Sequence, residues 1–164
     1  MGTGNFNITG GTIFLPYLSG ERTPVWDPSA RVVIFGLHSD TTQGDIVRAV
    51  LESSGYGLRQ ILEVIEAITG NIEAIPVAGG GAVSTVWMQL LADITGKRLY
   101  SRKITDSAAT GAALLGGLAA GVYSDEYEAS SIIDKKIVKE FLPDKANYQV
   151  YADSFGIYEQ LYPS

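Results

Sequence analysis

Residues 75–96 read IPVAGGGAVSTVWMQLLADITG, and this stretch decides the fold class. A short apolar run meets three consecutive glycines at 79–81, and the hydrophobic period then changes to that of a helix. Four apolar residues with i, i+3, i+4 and i+7 spacing form one stripe: Trp87, Leu90, Leu91 and Ile94. The stretch therefore predicts a buried strand over 75–78, a tight turn, and a helix that Ser84 caps and Gly96 ends.

The glycine turn is a candidate nucleotide site. Glycine lets a ligand approach the backbone closely, and the N-terminus of the following helix favours phosphate. Gly79, Gly80 and Gly81 are therefore candidate binding residues. A tight strand-to-helix turn without a ligand is the simpler interpretation of the turn alone. The spacing is not that of the dinucleotide fingerprint, and the P-loop lysine is absent.

The rest of the chain alternates predicted strands and helices. Further strands are predicted over 13–18, 31–37 and 97–102. Further helices are predicted from Thr41 or Thr42 to Thr69, from Asp106 or Ser107 to about Gly121, and over 144–162. The helix that ends at Thr69 is predicted to have an apolar face of seven residues: Ile46, Val50, Gly57, Ile61, Val64, Ile65 and Ile68. Alternation of this kind favours an α/β sheet with helices packed on it.

Composition narrows the classes of function. The chain has 164 residues, 46% of them hydrophobic, which is enough for one domain with a core. The formal net charge is −6 and there is no basic run, so nucleic-acid binding has little electrostatic support. There is no cysteine, and the sole histidine is His38, which disfavours disulfides and histidine metal centres. Neither a signal peptide nor a membrane span is predicted, so the expected location is the cytoplasm. Residues 1–11, small, polar and glycine-rich, are expected to be a flexible or engineered extension.

Five segments together resemble the C-terminal part of FGGY-family carbohydrate kinases, especially xylulokinases. FLPYLSGERTPVWDPSAR (14–31) is similar to the segment that opens this part, and FGLHSDTTQGDIVRAVLE (35–52) to most of the second family signature. GGGAVSTVWMQLLADITG (79–96) resembles the adenosine-binding loop and helix. TDSAATGAALLGGLAAGVY (105–123) and FLPDKANYQVYADSFGIYEQLY (141–162) resemble the last two helices.

The resemblance implies an actin-like, ribonuclease H-like α/β domain over 12–164. It implies a kinase that uses ATP and Mg²⁺ to phosphorylate a sugar, with a pentulose such as xylulose favoured over gluconate or glycerol. The family's catalytic aspartate, phosphate motifs and most sugar contacts lie upstream of these segments. The expectation is therefore that this chain holds no catalytic residue and no metal ligand, and that it lacks an N-terminal domain. A homo-oligomer is expected for a separate reason: the charged fraction of 18% is low, and an apolar face left bare where the missing domain would pack tends to associate. A non-catalytic actin-like binding module is the rival interpretation.

The resemblance carries over a small set of site residues. Gly80, Gly81 and Ala82 match the loop whose backbone lies against ribose and adenine. Thr85 stands where relatives such as glycerol kinases carry an asparagine that contacts adenine. A threonine hydroxyl can bond a base edge, but it cannot reproduce the two-point contact of an amide.

Other polar residues have structural explanations. In the loop over 19–30, Glu21, Arg22 and Asp27 are expected to tie the chain down, and His38 is expected to be a loop residue. Asp45 and Glu52 lie seven residues apart and are compatible with a carboxylate pair, although Asp45 is better explained as a first-turn acid. The small residues over 108–113 would let their helix approach the glycine turn closely.

Overall fold

A computed structural model describes residues 10–102, 107–133 and 136–162. The chain begins with a two-stranded antiparallel sheet of β1 (Ile13–Leu15) and β2 (Val33–Phe35), in which Ile13 lies opposite Phe35. Both predicted strands are confirmed but are shorter than expected: β1 covers the first half of 13–18, and β2 the centre of 31–37. Pro16 follows β1 directly, and proline has no N–H to continue a ladder.

The long helix α1 (Gln43–Thr69) has the predicted bounds. Thr42 and Asp45 form a capping box at its start, and Gly70 ends it with φ 84°. Its buried face is not the predicted one, because six other residues face the core: Ala49, Glu52, Ser53, Gly55, Tyr56 and Leu62. Most of the predicted apolar stripe is exposed, up to 82% at Ile68.

The central unit is a three-stranded sheet with the order β3–β4–β5. β3 (Ala74–Val77) runs parallel to β4 (Arg98–Arg102), and the connection between them contains α2 (Thr85–Thr95). Ser84 caps α2 and Gly96 ends it in the left-handed conformation, as predicted. β3 was expected to be buried, but it is half-buried with Pro76 exposed.

Two elements lie in a charged stretch for which the sequence predicted no structure. They are α4 (Glu126–Ser131) and β5 (Ile137–Phe141), which pairs antiparallel with β4. All of the β5 side chains except that of Phe141 are exposed. A strand with one buried residue lacks the hydrophobic alternation by which a strand is predicted.

The last two predicted helices are α3 (Ser107–Ala119) and α5 (Lys145–Gln160). α5 is continuous through Gly156, and Asp144 caps it. The predicted cap Asp106 lies outside the described residues. The expectation that α3 packs on the glycine turn is not met in the part of the chain described, because no residue of α3 is buried and its main contact is α4.

α2 lies between two hydrophobic clusters. Leu90 and Ile94 belong to the first cluster, which includes β1 residues of the small sheet and aromatic rings of α1 and α5. Met88, Leu91 and Ala92 belong to the second cluster, with Leu99 of β4 and Phe141 of β5. Because both faces of α2 are packed, the position of its N-terminus, where the glycines lie, is fixed on two sides.

Candidate nucleotide-binding site

The glycines form a tight turn between β3 and α2. Gly79 has φ 86°, and residues Gly80–Val83 make one turn of 3-10 helix. The N–H of Ala82 bonds the carbonyl of Gly79 at 3.1 Å, and the N–H of Ser84 bonds that of Gly81 at 3.1 Å. The Ser84 hydroxyl in turn accepts the N–H of Trp87 at 3.3 Å. The turn therefore leads directly into the first turn of α2, as the sequence predicted.

The three glycines differ in backbone conformation and in what surrounds them. Gly79 has a left-handed backbone, which side chains other than that of glycine disfavour. At Gly80 an added Cβ would meet nothing within 4 Å, so this residue faces open space. At Gly81 an added Cβ would lie 2.6 Å from Cζ3 of Trp87. The reason for glycine at 81 is therefore the close approach of an indole ring.

Ala82 and Thr85 lie on opposite sides of the same turn. Ala82 is half-buried and packs on the second cluster, so its backbone rather than its methyl group is available to a ligand. Thr85 is the first residue of α2 and is exposed. It lines a groove of about 870 Å³ between α1, α2 and α5. The structure thus brings all five predicted residues to one turn, and Thr85 connects that turn to a groove.

Arg48 and Tyr151 line this groove and form a polar network with the buried Glu52. Arg48 Nε donates to Glu52 Oε1 at 2.7 Å, and the Tyr151 hydroxyl donates to the same oxygen at 3.2 Å. Burial raises the pKa of Glu52, and the bond and charge of Arg48 oppose that shift. Burial also raises the pKa of Tyr151 to about 12. Arg48 and Tyr151 were missed because they are 103 residues apart and no local motif joins them.

The possible carboxylate pair of Asp45 and Glu52 is not formed. Asp45 is used in the capping box, where its Oδ2 accepts the N–H of Thr42 at 2.8 Å and the Thr42 hydroxyl at 2.7 Å. These bonds from Thr42 lower the pKa of Asp45. Glu52 pairs with Arg48 instead. The simpler interpretation of Asp45 as a first-turn acid is confirmed.

The acids of the loop before β2 have the predicted structural role. Glu21 Oε1 accepts the backbone N–H groups of Arg22 and Thr23 at 2.6 and 2.9 Å. Asp27 accepts the N–H of Ser29 at 2.6 Å and also the hydroxyl of Tyr162, a bond that lowers the pKa of Asp27. His38 is a loop residue, as expected, and its Nδ1 accepts the N–H of Asp40 at 3.3 Å.

Within the described ranges, no group of three or more His, Cys, Asp or Glu side chains could hold a metal ion. The Mg²⁺ implied by the resemblance therefore has no ligand cage among these residues. Over the same ranges, no helix is both long enough and apolar enough to cross a membrane.

Known relatives match most of this chain. A curated glycerol kinase from Saccharolobus islandicus is 38% identical over 140 residues, which are 85% of this chain and 28% of the relative. The xylulose kinase of Escherichia coli is 38% identical over 150 residues, 91% of this chain and 31% of the relative. The chain thus spans less than a third of the curated relatives it matches.

The solved structures that superimpose on this chain are sugar kinases too, like its relatives in sequence. The ligand-bound xylulose kinase of Lactobacillus acidophilus superimposes with a TM-score of 0.80 at 29% identity, covering 92% of this chain and 30% of the other. Sugar kinases of this kind have an actin-like ATPase fold, so the predicted fold class is confirmed. The model of the C-terminal domain of the FGGY family of carbohydrate kinases matches residues 7–120. The chain therefore belongs to the FGGY family of carbohydrate kinases and carries its C-terminal domain.

Proposed function

We propose that this chain forms the adenosine-binding side of an ATP-dependent carbohydrate kinase, which transfers the γ-phosphate of ATP to a sugar hydroxyl. The observation that carries the proposal is the exposed turn at Gly79 and Gly80, placed between β3 and the N-terminus of α2 in a chain of this family. A glycine turn at a helix N-terminus suits an anionic, flat-faced ligand such as a nucleotide.

Each site residue has a separate role in this proposal. Gly80 leaves room for the ribose, because the direction of its absent side chain is open. Gly81 and Ala82 present backbone, and Thr85 offers its hydroxyl to an edge of the base. Phosphoryl transfer depends on positioning and charge neutralisation more than on covalent help from the protein. We assign no catalytic residue to this chain; the general base would belong to the rest of a longer kinase, in an N-terminal domain that pairs with this one.

Mg²⁺ would enter with the phosphates of ATP. Magnesium in such sites keeps several waters and takes one or two protein carboxylates plus phosphate oxygens, so a dedicated cage in this chain is not required. We derive no step of the reaction through this ion. The cytoplasm is the proposed location, because a kinase of this kind needs ATP.

We favour xylulose, or another pentulose, as the acceptor. The match to the Escherichia coli xylulose kinase extends over more of the chain, 91%, than the match to the glycerol kinase, 85%, at the same identity of 38%. Glycerol and gluconate are the alternatives within the same family. A non-catalytic actin-like binding module is the alternative outside it.

Nucleotide titration of the 164-residue chain tests the site. Wild type should bind ADP and ATP weakly, with a Kd of about 1 mM, since a partial site would deliver roughly 4 kcal/mol. Gly80→Leu should weaken binding at least tenfold, because the side chain would fill the space of the ribose without disturbing the fold. Thr85→Asn should retain or strengthen binding by restoring an amide. NMR amide shifts measure all of these affinities.

Gly116→Leu in α3 is the matched control, since an added Cβ there also meets nothing within 4 Å. This variant should bind ADP as wild type does. The nucleotide site is wrongly placed if folded Gly80→Leu and wild type bind ADP equally well.

A hybrid enzyme tests whether this chain supports the reaction. We expect the chain alone not to phosphorylate xylulose, because no catalytic residue is assigned to it. Replacing the matching region of the Escherichia coli xylulose kinase with this chain should yield a kinase that loses activity with Gly80→Leu. Activity is measured with ATP and xylulose, because the part of the hybrid that comes from the Escherichia coli enzyme would choose the sugar. A folded hybrid that binds ATP but does not phosphorylate xylulose would favour the binding module.

A further inference from the structure

We propose that Trp87 is the positioning residue of the nucleotide turn. Its ring fixes where the backbone around Gly81 lies, and its indole N–H ties that backbone to Ser54 of α1. The inference rests on the proposed function, because it concerns how the turn is held for a nucleotide. Trp87 itself need not contact the ligand.

The ring of Trp87 occupies the space that a side chain at residue 81 would need. A Cβ at Gly81 would lie 2.6 Å from Cζ3, 3.2 Å from Cε3 and 3.4 Å from Cη2 of the indole. The turn therefore rests directly on the ring. Ser84 closes the connection, since its N–H bonds the carbonyl of Gly81 and its hydroxyl accepts the N–H of Trp87. Any movement of the ring would move the backbone at residue 81.

A hydrogen bond to α1 holds the ring in place. Nε1 of Trp87 lies 2.9 Å from the hydroxyl oxygen of Ser54, in the middle of α1. The Ser54 hydroxyl donates its own proton to the carbonyl of Leu51 at 2.7 Å, which leaves its oxygen as the acceptor for the indole. The indole N–H is a donor only, so the direction of this chain of bonds is defined.

The packing around the indole restricts the ring further. Trp87 is half-buried and packs against the second cluster together with Val77, at the end of β3, and Ala82, in the turn itself. The ring thus lies against the turn and is bonded to α1, and it packs on the same cluster as the strand before the turn. Without the bond to Ser54 the ring has more freedom, and the turn spends less time in the arrangement that binds a nucleotide. The apparent Kd rises in proportion to that loss.

Two substitutions break the bond from its two ends. Ser54→Ala removes the acceptor, and Trp87→Phe retains a ring but removes the donor. Each should raise the Kd for ADP by about three- to tenfold, within the range of one lost hydrogen bond. The double variant should be no weaker than either single one, since both remove the same bond. The amide shifts of residues 80–82 should change in Ser54→Ala without ADP, because this variant retains the indole ring and removes only its acceptor.

Ser53→Ala is the matched control for Ser54→Ala. The Ser53 hydroxyl donates to the carbonyl of Val50 at 2.7 Å, so it makes the same local bond one residue earlier. If the two serines only stabilise the fold, Ser53→Ala and Ser54→Ala should both lower the midpoint of unfolding and leave the Kd for ADP unchanged. We expect Ser53→Ala to bind ADP as wild type does, with the turn amides unshifted.

Gly81→Ala supplies a second measurement. In wild type the new methyl group meets the indole and should shift the turn amides and weaken ADP binding. In a Trp87→Leu background the obstacle is smaller, so the same substitution should have less effect. Equal effects of Gly81→Ala in the two backgrounds would overturn the proposed role of the ring.

The outcomes separate this inference from the proposed function. Suppose that Ser54→Ala and Trp87→Phe both bind ADP as wild type does, and that the turn amides of Ser54→Ala are unshifted. This result would overturn the role of Trp87 and leave the nucleotide site standing. A wild-type chain that binds no ADP overturns the nucleotide site, and the inference about Trp87 fails with it.

Discussion

Glu52 shows how one buried carboxylate makes stability depend on pH. Its side chain is 2% exposed, and burial raises its pKa above the ordinary value of 4.5. The folded protein therefore holds this proton more tightly than the unfolded chain does. The stabilising contribution of Glu52 is full below pH 4.5 and is lost as the pH rises through the folded-state pKa.

Glu52→Gln should remove that pH dependence. The free energy of unfolding of wild type, minus that of Glu52→Gln, should fall as the pH rises from 4.5 toward 7. Urea unfolding at several pH values measures it. Glu63→Gln is the control, because Glu63 pairs with Arg59 at the same i,i+4 spacing but is 49% exposed. The prediction is contradicted if the free energy of unfolding of wild type minus that of Glu52→Gln stays constant from pH 4.5 to 7.

The glycine turn shows what a sequence can and cannot predict about single residues. Three adjacent glycines between a strand and a helix predict a turn with unusual backbone or close contacts, and both are found. The positive φ belongs to Gly79 and the close contact to Gly81. The sequence does not show which glycine has the close contact, because that depends on the position of Trp87, six residues beyond Gly81. That position is set by Ser54, on another helix. Sequence spacing gives no signal for a contact between two helices.

At the scale of elements, Asp93 joins α2 to α5. It is buried, and its carboxylate accepts three hydrogen bonds, from Gln89 Nε2 at 2.8 Å, the N–H of Asp144 at 2.9 Å and Asn147 Nδ2 at 2.8 Å. Two of these donors belong to the start of α5. The carboxylate therefore places the N-terminus of one helix against the side of another.

Asp93→Ala should lower the free energy of unfolding by about 2–3 kcal/mol, because two partly buried donors at the start of α5 lose a charged acceptor. Asp93→Asn should cost less, since one amide oxygen can still accept. Urea unfolding measures both. Asp153→Ala, at an exposed position of α5, should change the free energy by less than about 0.5 kcal/mol. An Asp93→Ala variant as stable as Asp153→Ala would show that this connection is dispensable.

The bounds of the elements were more predictable than their surroundings. α1 and α2 begin and end as expected because their caps are local: a capping box and Gly70 for α1, Ser84 and Gly96 for α2. The buried face of α1 was predicted wrongly, because side chains of β1 and α5 select it and an apolar residue need not be inside. β5 was missed since its burial is limited to Phe141.

At the scale of the whole molecule, β2 leaves an apolar surface uncovered. Val33, Ile34, Phe35 and the nearby Leu37 are between 37% and 55% exposed. Among the described residues β2 pairs with β1 alone, so none of them covers its other edge. An exposed apolar strand with an open edge favours association. The expected homo-oligomer would cover this surface, as would the rest of a longer kinase.

We expect sedimentation velocity to show a mass that rises with concentration. Phe35→Ser should shift the chain toward monomer, because it removes the largest side chain of the surface. Trp26→Ser is the control: Trp26 is 79% exposed but lies in the loop before β2. A strict monomer at the highest concentration would contradict the prediction of self-association.

The two hydrophobic clusters have a consequence for how the protein is made. The second cluster closes between residues 75 and 141, but the first joins β1 to Tyr151, Phe155 and Tyr158 of α5. A ribosome must release α5 before the rings of that cluster can meet their partners near the other end of the described chain. Until then Ile13, Leu15 and Tyr56 have an incomplete core. During synthesis, the nascent chain should therefore need a chaperone most just before α5 emerges.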